Sequence, residues 1–266
     1  MFGRSSVAVP GDRGGLPAAE LDLTVVMPFF NPGPQLGATV RDVVAVLRST
    51  GATFEVLAVS DGSTDGSEAT LRDTRDSGVE LVVLPEHAGK GMAVRAGFAR
   101  GRGRYLGFID ADGDVPPDLL ADFLAIAKAQ QPDGVLGSKR HPESEVVYPP
   151  ARRLYSWGYQ QLVRSLFRLK VRDTQAGIKL VRRDVLEAVL PWMVEQGFAF
   201  DLELLVLARR HGFEDFVEAP VRIGRRFRST ISAFVVLEML RDTFAIWWRL
   251  HVRHGYGPET PRPPAT

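Results

Sequence analysis

The sequence predicts an α/β protein built on a mostly parallel, doubly wound sheet. Short apolar runs alternate with amphipathic segments from residue 23 to residue 138, the rhythm of βαβ units. Four of those runs end in polar loops, and ligands of open α/β sheets bind outside the carboxyl ends of the strands. The 266 residues are 45% hydrophobic and 24% charged, enough apolar material for one large core or two small ones.

The elements follow from this pattern. Leu23 to Pro28 is the first strand. A helix from about Pro34 to Ser49 puts Leu36, Val40, Val43, Val44 and Leu47 on its inner face. Phe54–Ser60 is the second strand and Gly66–Asp76 the second helix. Val79–Leu84 is the third strand, followed by a short helix over Gly91–Arg100. Tyr105–Asp110 is the fourth strand, and Pro116-Pro117 stops it. A helix over 117–129 and a fifth strand over Val135–Ser138 complete the regular part.

After Ser138 the rhythm breaks. The pattern predicts a helix over 150–169, a strand over Ala176–Val181, helices over Arg183–Glu195 and Phe200–Arg210, and a strand over Phe213–Ile223. An amphipathic helix over 229–253 has a narrow polar stripe of Glu238, Arg241, Asp242, Arg249 and Arg253. Its apolar remainder, with Phe234, Val235, Leu240, Phe244, Trp247 and Trp248, suits the domain, a dimer contact or a membrane interface. Residues 1–20 and 254–266, rich in Gly and Pro, read as slack ends around a single domain over 21–228.

Composition narrows the chemistry. The absence of cysteine excludes disulfides, thiolate catalysis and zinc–thiolate sites. The net charge of +1 hides an asymmetry: residues 1–136 carry 12 Lys/Arg and 18 Asp/Glu, and residues 137–266 carry 21 and 14. An acidic first part against an arginine-rich second part suits a phosphorylated substrate lying across them, and suits nucleic acid less well. Neither an apolar leader nor an uncharged run of ~20 residues is visible, so a soluble or peripheral protein is expected.

The chemistry-bearing residues gather at the predicted strand ends. The first strand ends in Pro28-Phe-Phe-Asn31, and the second in Ser60-Asp61-Gly62-Ser63-Thr64-Asp65-Gly66. The third ends in His87-Ala-Gly89-Lys90-Gly91, and the fourth in Asp110-Ala-Asp112-Gly113-Asp114. Four polar loops on one sheet edge describe a pocket. Three convergent carboxylates repel one another unless a hard divalent cation lies between them. The plainer alternative is an acidic turn capping the helix that starts near Pro116. Asp61 can accept from a base or ribose, or the Asp61–Gly66 stretch can be an Asx-turn capping the next helix. Lys90 can set an amine against a phosphate, although Gly89-Lys90-Gly91 lacks the spacing of a P-loop. His87 reads as a loop histidine.

Taken in order, Val26-Met-Pro28…Asn31, VSDGSTDGS, HAGKGMAVRAGF, DADGDVPPDLL, GSKR, DTQAGIKLVRRD and FAFDLELL resemble family 2 glycosyltransferases of the GT-A fold. Among these they most resemble the dolichyl-phosphate glucose and mannose synthases and their bacterial polyprenyl-phosphate relatives, over about residues 22–231. The resemblance implies a Rossmann-like GT-A domain. It implies transfer of a hexose, glucose before mannose, from UDP-glucose or GDP-mannose to a polyprenyl or dolichyl phosphate. It makes Pro28, Asp61 and Lys90 nucleotide contacts and Asp110, Asp112 and Asp114 the metal and diphosphate shell. Lys139 stands where a phosphate-binding arginine follows Gly-Ser, and Arg152 and Ser156 match a pair that holds the lipid phosphate. Arg226 corresponds to a late phosphate-binding arginine, with Arg225 and Arg228 as alternatives because the alignment slips there by one residue. Two departures stand out: Ser60 replaces the first Asp of Asp-Asp-Gly-Ser, and Pro32 replaces the Glu of Asn-Glu.

The expected mechanism is an inverting displacement. Mg²⁺ or Mn²⁺ on Asp112 and Asp114 would neutralise the departing diphosphate, and Lys139, Arg152 and Arg226 would add fixed positive charge. A phosphate acceptor needs no general base. A hydroxyl acceptor would need one, for which Asp201 is the candidate, unless Asp201 holds a helix start by accepting from backbone or an arginine. The stretch Arg222–Arg228 reads as a phosphate- or headgroup-gathering segment or as a solvated basic loop. A family 2 enzyme with a soluble or cell-envelope acceptor, a nucleotidyltransferase and a silent nucleotide-sugar-binding protein are the alternatives. The expected location is the cytoplasmic membrane face, with a homodimer or membrane-protein contact through the C-terminal helix.

Overall fold

The computed structural model describes residues 15–146, 150–223 and 233–256. Seven strands form the main sheet: β1 (Leu21–Phe29), β2 (Phe54–Ser60), β3 (Val79–Val83), β4 (Gly103–Ile109), β5 (Gly134–Ser138), β7 (Ile178–Arg182) and β8 (Phe216–Pro220). A two-residue β6 (Glu145–Val146) pairs with β9 (Arg222–Ile223) beside it. The helices are α1 (Leu36–Ser49), α2 (Lys90–Phe98), α3 (Leu119–Gln130), α4 (Pro150–Phe167), α5 (Arg183–Val189), α6 (Phe200–Arg210) and α7 (Ala233–His251).

The order across the sheet is β3-β2-β1-β4-β7-β5-β8. Strands β1 to β4 are parallel, and so is the pair β5–β8, but β7 runs antiparallel between β4 and β5. The sequence pattern does not announce this insertion, because an inner strand covered on both faces is apolar in either direction. Its consequence is local. Ile178 pairs with Ile109, so the chain entering β7 arrives where β4 ends.

Both faces of the sheet are covered, as parallel sheets require. Val56 and Ala58 of β2 pack with α1 and α3, while Leu57 and Val59 pack with α2, α5 and α6. The five predicted inner-face residues of α1 are all buried.

The segment predicted as a second α-helix is instead a 3₁₀ helix over Ser67–Ser77, bounded by Gly66 and Gly78 at φ 76° and 80°. Among the described residues only Leu71 anchors it in the hydrophobic core, and Thr70 and Thr74 donate back to the carbonyls of Ser67 and Leu71. Little apolar burial and local side-chain bonds favour the tighter helix. The helix predicted over 183–195 also ends early, at Val189, with a single 3₁₀ turn over Leu190–Trp192.

The slack ends are shorter than the sequence suggests. Arg183 donates to the carbonyls of Pro17, Gly101 and Gly103, which ties residues before β1 to the sheet. At the other end Tyr256 is 1% exposed. Its hydroxyl donates to Glu203 at 2.7 Å, and Arg249 donates to Tyr256 and to Glu195. Glu203, itself 0% exposed, also accepts from the backbone of Val194 and Glu195. Burial pushes its carboxyl up, against the Tyr256 and backbone bonds that favour its charge. Residues 1–14 and 257–266, expected to be slack, lie outside the described residues.

Tyr256→Phe should remove one bond from a buried carboxylate and cost about 1–3 kcal/mol. Thermal unfolding should register a lower midpoint, and an unchanged one would show that Glu203 does not need this donor.

Candidate nucleotide and metal site

The four polar loops meet at one sheet edge. Asn31, at φ 48°, accepts from the Thr64 amide, while its own amide donates to Ser63. Gly33 donates to Asp65 at 2.8 Å. Asp65 also accepts from the Ser67 amide at 3.0 Å, so the Asx-turn weighed for this stretch is made by Asp65. Pro28 is buried in β1 opposite Val59.

Asp61 binds the loop after β3. Its two oxygens accept from the amides of Ala88 and Gly89 at 2.8 and 2.9 Å, and His87 Nδ1 lies 2.8 Å from Oδ2. The side chain is 4% exposed, so Asp61 shapes the floor of the site through its neighbours. Gly62, at φ 71°, allows this approach: a Cβ there would lie 2.6 Å from the His87 nitrogen. The His87 ring stacks on Phe30 at 4.0 Å between centroids, and Phe30 is 46% exposed. This aromatic step did not emerge from the sequence reading, although a Phe pair at a strand end was its available signal.

Lys90 opens α2, whose start is wedged against the chain before α6. A Cβ on Gly89 would meet the Gln196 carbonyl at 2.6 Å, and one on Gly91 would meet Phe200 at 2.7 Å. From this fixed position Lys90 Nζ reaches Asp110 Oδ1 at 2.5 Å and lies 5.0 Å from the centre of the Phe108 ring. Burial works against the ammonium, but Asp110, Asp201 and Asp112 outweigh it and raise its pKa.

Asp110 is itself held. Its amide donates to the Gly177 carbonyl at 3.0 Å, and a Cβ on Gly177 would fall 2.4 Å from Asp110 Oδ2. Asp112 accepts from the Asp114 amide at 3.0 Å. Burial, with Asp110 and Asp114 adding to it, raises the Asp112 carboxyl above the usual range, against the Asp114 amide and Lys90. Among the described residues no three acidic or histidine side chains form a metal cluster. In this arrangement Asp110 faces Lys90, and Gly113, at φ 76°, turns the chain between Asp112 and Asp114. The donor set fits a divalent ion bound by one or two carboxylates and completed by phosphate oxygens and water.

Lys139 donates its ammonium to the Gln175 carbonyl at 2.9 Å, and its amide donates to Asp173 at 2.9 Å. Next to it Arg140 donates to Ser156 at 3.3 Å. Arg140 was not singled out from the sequence, although it follows Lys139 in the Gly-Ser-Lys-Arg run. Arg152 falls on α4, and its side chain lies outside those described. Arg225, Arg226 and Arg228 lie outside the described residues.

Asp201 is 5% exposed and 2.8 Å from Lys179 Nζ. The holding role weighed from sequence is made with a lysine of β7, where backbone or an arginine was expected. Burial raises the Asp201 carboxyl and lowers the Lys179 ammonium, each opposed by the partner's charge. Lys179 lies 5.2 Å from the Phe108 ring centre, so this ring has an ammonium near it from both α2 and β7.

The family described as Glycosyl transferase family 2 matches residues 24–190. A dolichyl-phosphate beta-glucosyltransferase of Drosophila melanogaster is 34% identical over 248 residues, which cover 86% of this chain and 75% of that protein. One of Saccharomyces cerevisiae is 29% identical over 72% of this chain and 64% of its own length. The glucosyl-3-phosphoglycerate synthase of Mycobacterium tuberculosis, solved with Mn²⁺, uridine diphosphate and phosphoglyceric acid, superposes with a TM-score of 0.66. Its identity is 19%, over 90% of this chain and 80% of that one. At that identity the likeness speaks for the fold.

Gly177→Ala should push Asp110 off Lys90 and lower kcat/KM at least tenfold with the fold retained by circular dichroism. Asp112→Asn should abolish turnover yet leave the thermal midpoint unchanged or slightly raised, because the charge it removes is crowded by Asp110 and Asp114. A lower midpoint would show that the carboxylate is not under repulsion.

Proposed function

The chain belongs to glycosyl transferase family 2, and from that premise we propose that it moves a hexose from a nucleoside diphosphate donor to a polyprenyl phosphate with inversion. Glucose from UDP-glucose is favoured, with mannose from GDP-mannose next. The observation that carries this reading is the meeting of Lys90, Asp110 and Asp112 with the Asp61 loop at one sheet edge. The similarity to dolichyl-phosphate beta-glucosyltransferases supports the choice of acceptor and sugar.

In this reading Asp112 and Asp114 would hold Mg²⁺ or Mn²⁺ together with the donor diphosphate, and Asp110 would complete that shell. When bound, the ion supplies Lewis-acid neutralisation of the leaving diphosphate. Lys90 adds a cation on the nucleotide side. Pro28, Asp61 and the Phe30–His87 step border the nucleoside. Lys139, Arg152, Ser156 and one of Arg225, Arg226 or Arg228 gather phosphates, joined by Arg140, which lies against Ser156. The acceptor phosphate is ionised at neutral pH and attacks the anomeric carbon on the face opposite the diphosphate. No general base is then required, which agrees with Asp201 being occupied by Lys179.

Helix α7 supplies the contact with the lipid phase. Its inner side is fixed by Ile246, 0% exposed, and by Thr243, which meets the Tyr159 hydroxyl at 2.9 Å. Its outer side presents Leu237, Phe244, Trp248 and Val252, with Arg241 and Arg253 nearby on the same helix and turn. Aromatic and basic residues together favour a membrane interface. Among the described residues no helix is long and apolar enough to cross a membrane. We place this face on the cytoplasmic leaflet.

Incubation with radiolabelled nucleotide sugars, Mn²⁺ and dolichyl phosphate, followed by organic extraction, should move glucose label from UDP-glucose into the lipid phase. Label that stays in the aqueous phase with every donor would remove the lipid acceptor. Phe244→Glu combined with Trp248→Glu should reduce cosedimentation with anionic vesicles severalfold. A change in oligomeric state with vesicle binding intact would assign the face to a second copy, and intact vesicle binding in a monomer would leave it to a membrane-protein partner.

A further inference from the structure

The Lys90–Asp110 contact has an implication for the order in which ligands enter. Asp110 Oδ1 carries the ammonium at 2.5 Å. Asp110 Oδ2 lies over Gly177, so close that a Cβ there would be 2.4 Å away. The backbone bond from Asp110 to Gly177 fixes the residue behind it. Of the two oxygens, Oδ1 alone faces a cation, and Lys90 already holds it. We propose that Lys90 and the divalent ion compete for Asp110, and that the ion enters with the nucleotide because the diphosphate draws Lys90 away.

The surroundings make the exchange feasible. Lys90 feels Asp110, Asp201 and Asp112 together, so its departure leaves neighbouring like charges that call for a replacement cation. The backbone of Lys90 cannot supply the motion, because Gly89 and Gly91 are wedged against Gln196 and Phe200. The side chain can: it is 20% exposed, and a lysine ammonium is a point charge on a flexible stem. A diphosphate offers that ammonium an anion equal to the carboxylate it leaves. Metal and nucleotide should then strengthen each other's binding by one and the same factor.

This inference rests on the metal-dependent reading above. The test is calorimetric titration and Mn²⁺ electron paramagnetic resonance on the full chain, with Mn²⁺ alone, UDP alone and the two together. Wild type should bind Mn²⁺ weakly alone and at least tenfold more tightly with UDP. Lys90→Met should bind Mn²⁺ alone about tenfold more tightly than wild type, while its affinity for UDP falls and the mutual enhancement shrinks. Lys90→Arg keeps the charge and should behave as wild type toward Mn²⁺ alone, which guards against a folding artefact. Lys128→Met removes one positive charge beside Asp22, at the amino end of β1 opposite the site, and should change nothing. Lys90→Met with unchanged or weaker affinity for Mn²⁺ alone, beside normal UDP-dependent binding in wild type, would overturn the competition and leave the metal reading standing. No Mn²⁺ binding by wild type even with UDP would overturn both.

Discussion

The antiparallel placement of β7 beside β4 is the constraint on which the site depends. A parallel neighbour would bring its carboxyl end to the functional edge. Running the other way, β7 brings its entry instead, and with it the Asp173–Gly177 segment. Gly177 then accepts from the Asp110 amide and leaves room for its carboxylate, while Asp173 and Gln175 hold Lys139. One strand reversal thus serves the acidic edge and the basic residue opposite it.

The charges are ordered from the edge inward. Asp112 and Asp110 lie outermost, then Lys90, then Asp201 with Lys179 in the core. Both lysines lie near 5 Å from the centre of the Phe108 ring. A buried ion pair is weak support for stability, because desolvation offsets most of its attraction. Its use here is positional. Lys179 also donates to the Ala176 carbonyl at 2.9 Å, so the pair joins the start of α6 to the loop that shapes Asp110.

Much of this was legible in the sequence because it follows from period and punctuation. The apolar spacing of α1 and the runs of β2 and β5 mark buried faces directly, and glycines and prolines mark where strands stop. The meeting of Asp61 with the 87–91 loop was inferred from strand ends on one edge, which needs only the parallel order. Other features had no local signal. Nothing in Gly-Ile-Lys says which way its strand runs. Asp201 could be read as a base or as a helix-start acceptor, since nothing near it in the sequence points to Lys179 as its partner. Three alternating aspartates suggested one shared ion, and nothing in them signalled the pairing of Asp110 with Lys90, which is set by the start of α2. The closing of Tyr256 over Glu203 was invisible because a Gly- and Pro-rich end resembles slack chain whatever it touches.

The wedge of Gly89 and Gly91 against Gln196 and Phe200 bears on engineering. The segment before α6 carries the exposed Phe198 and lies beside α7, read here as the lipid-facing helix, since a Cβ on Gly197 would fall 3.9 Å from Asp242 Oδ2. It is also the wall against which the donor-side helix is seated. A chimera that grafts a relative's segment at 190–200 to change the acceptor would therefore shift the seat of α2. Such a graft must carry matching residues at 89–91, or it will disturb donor affinity along with acceptor choice.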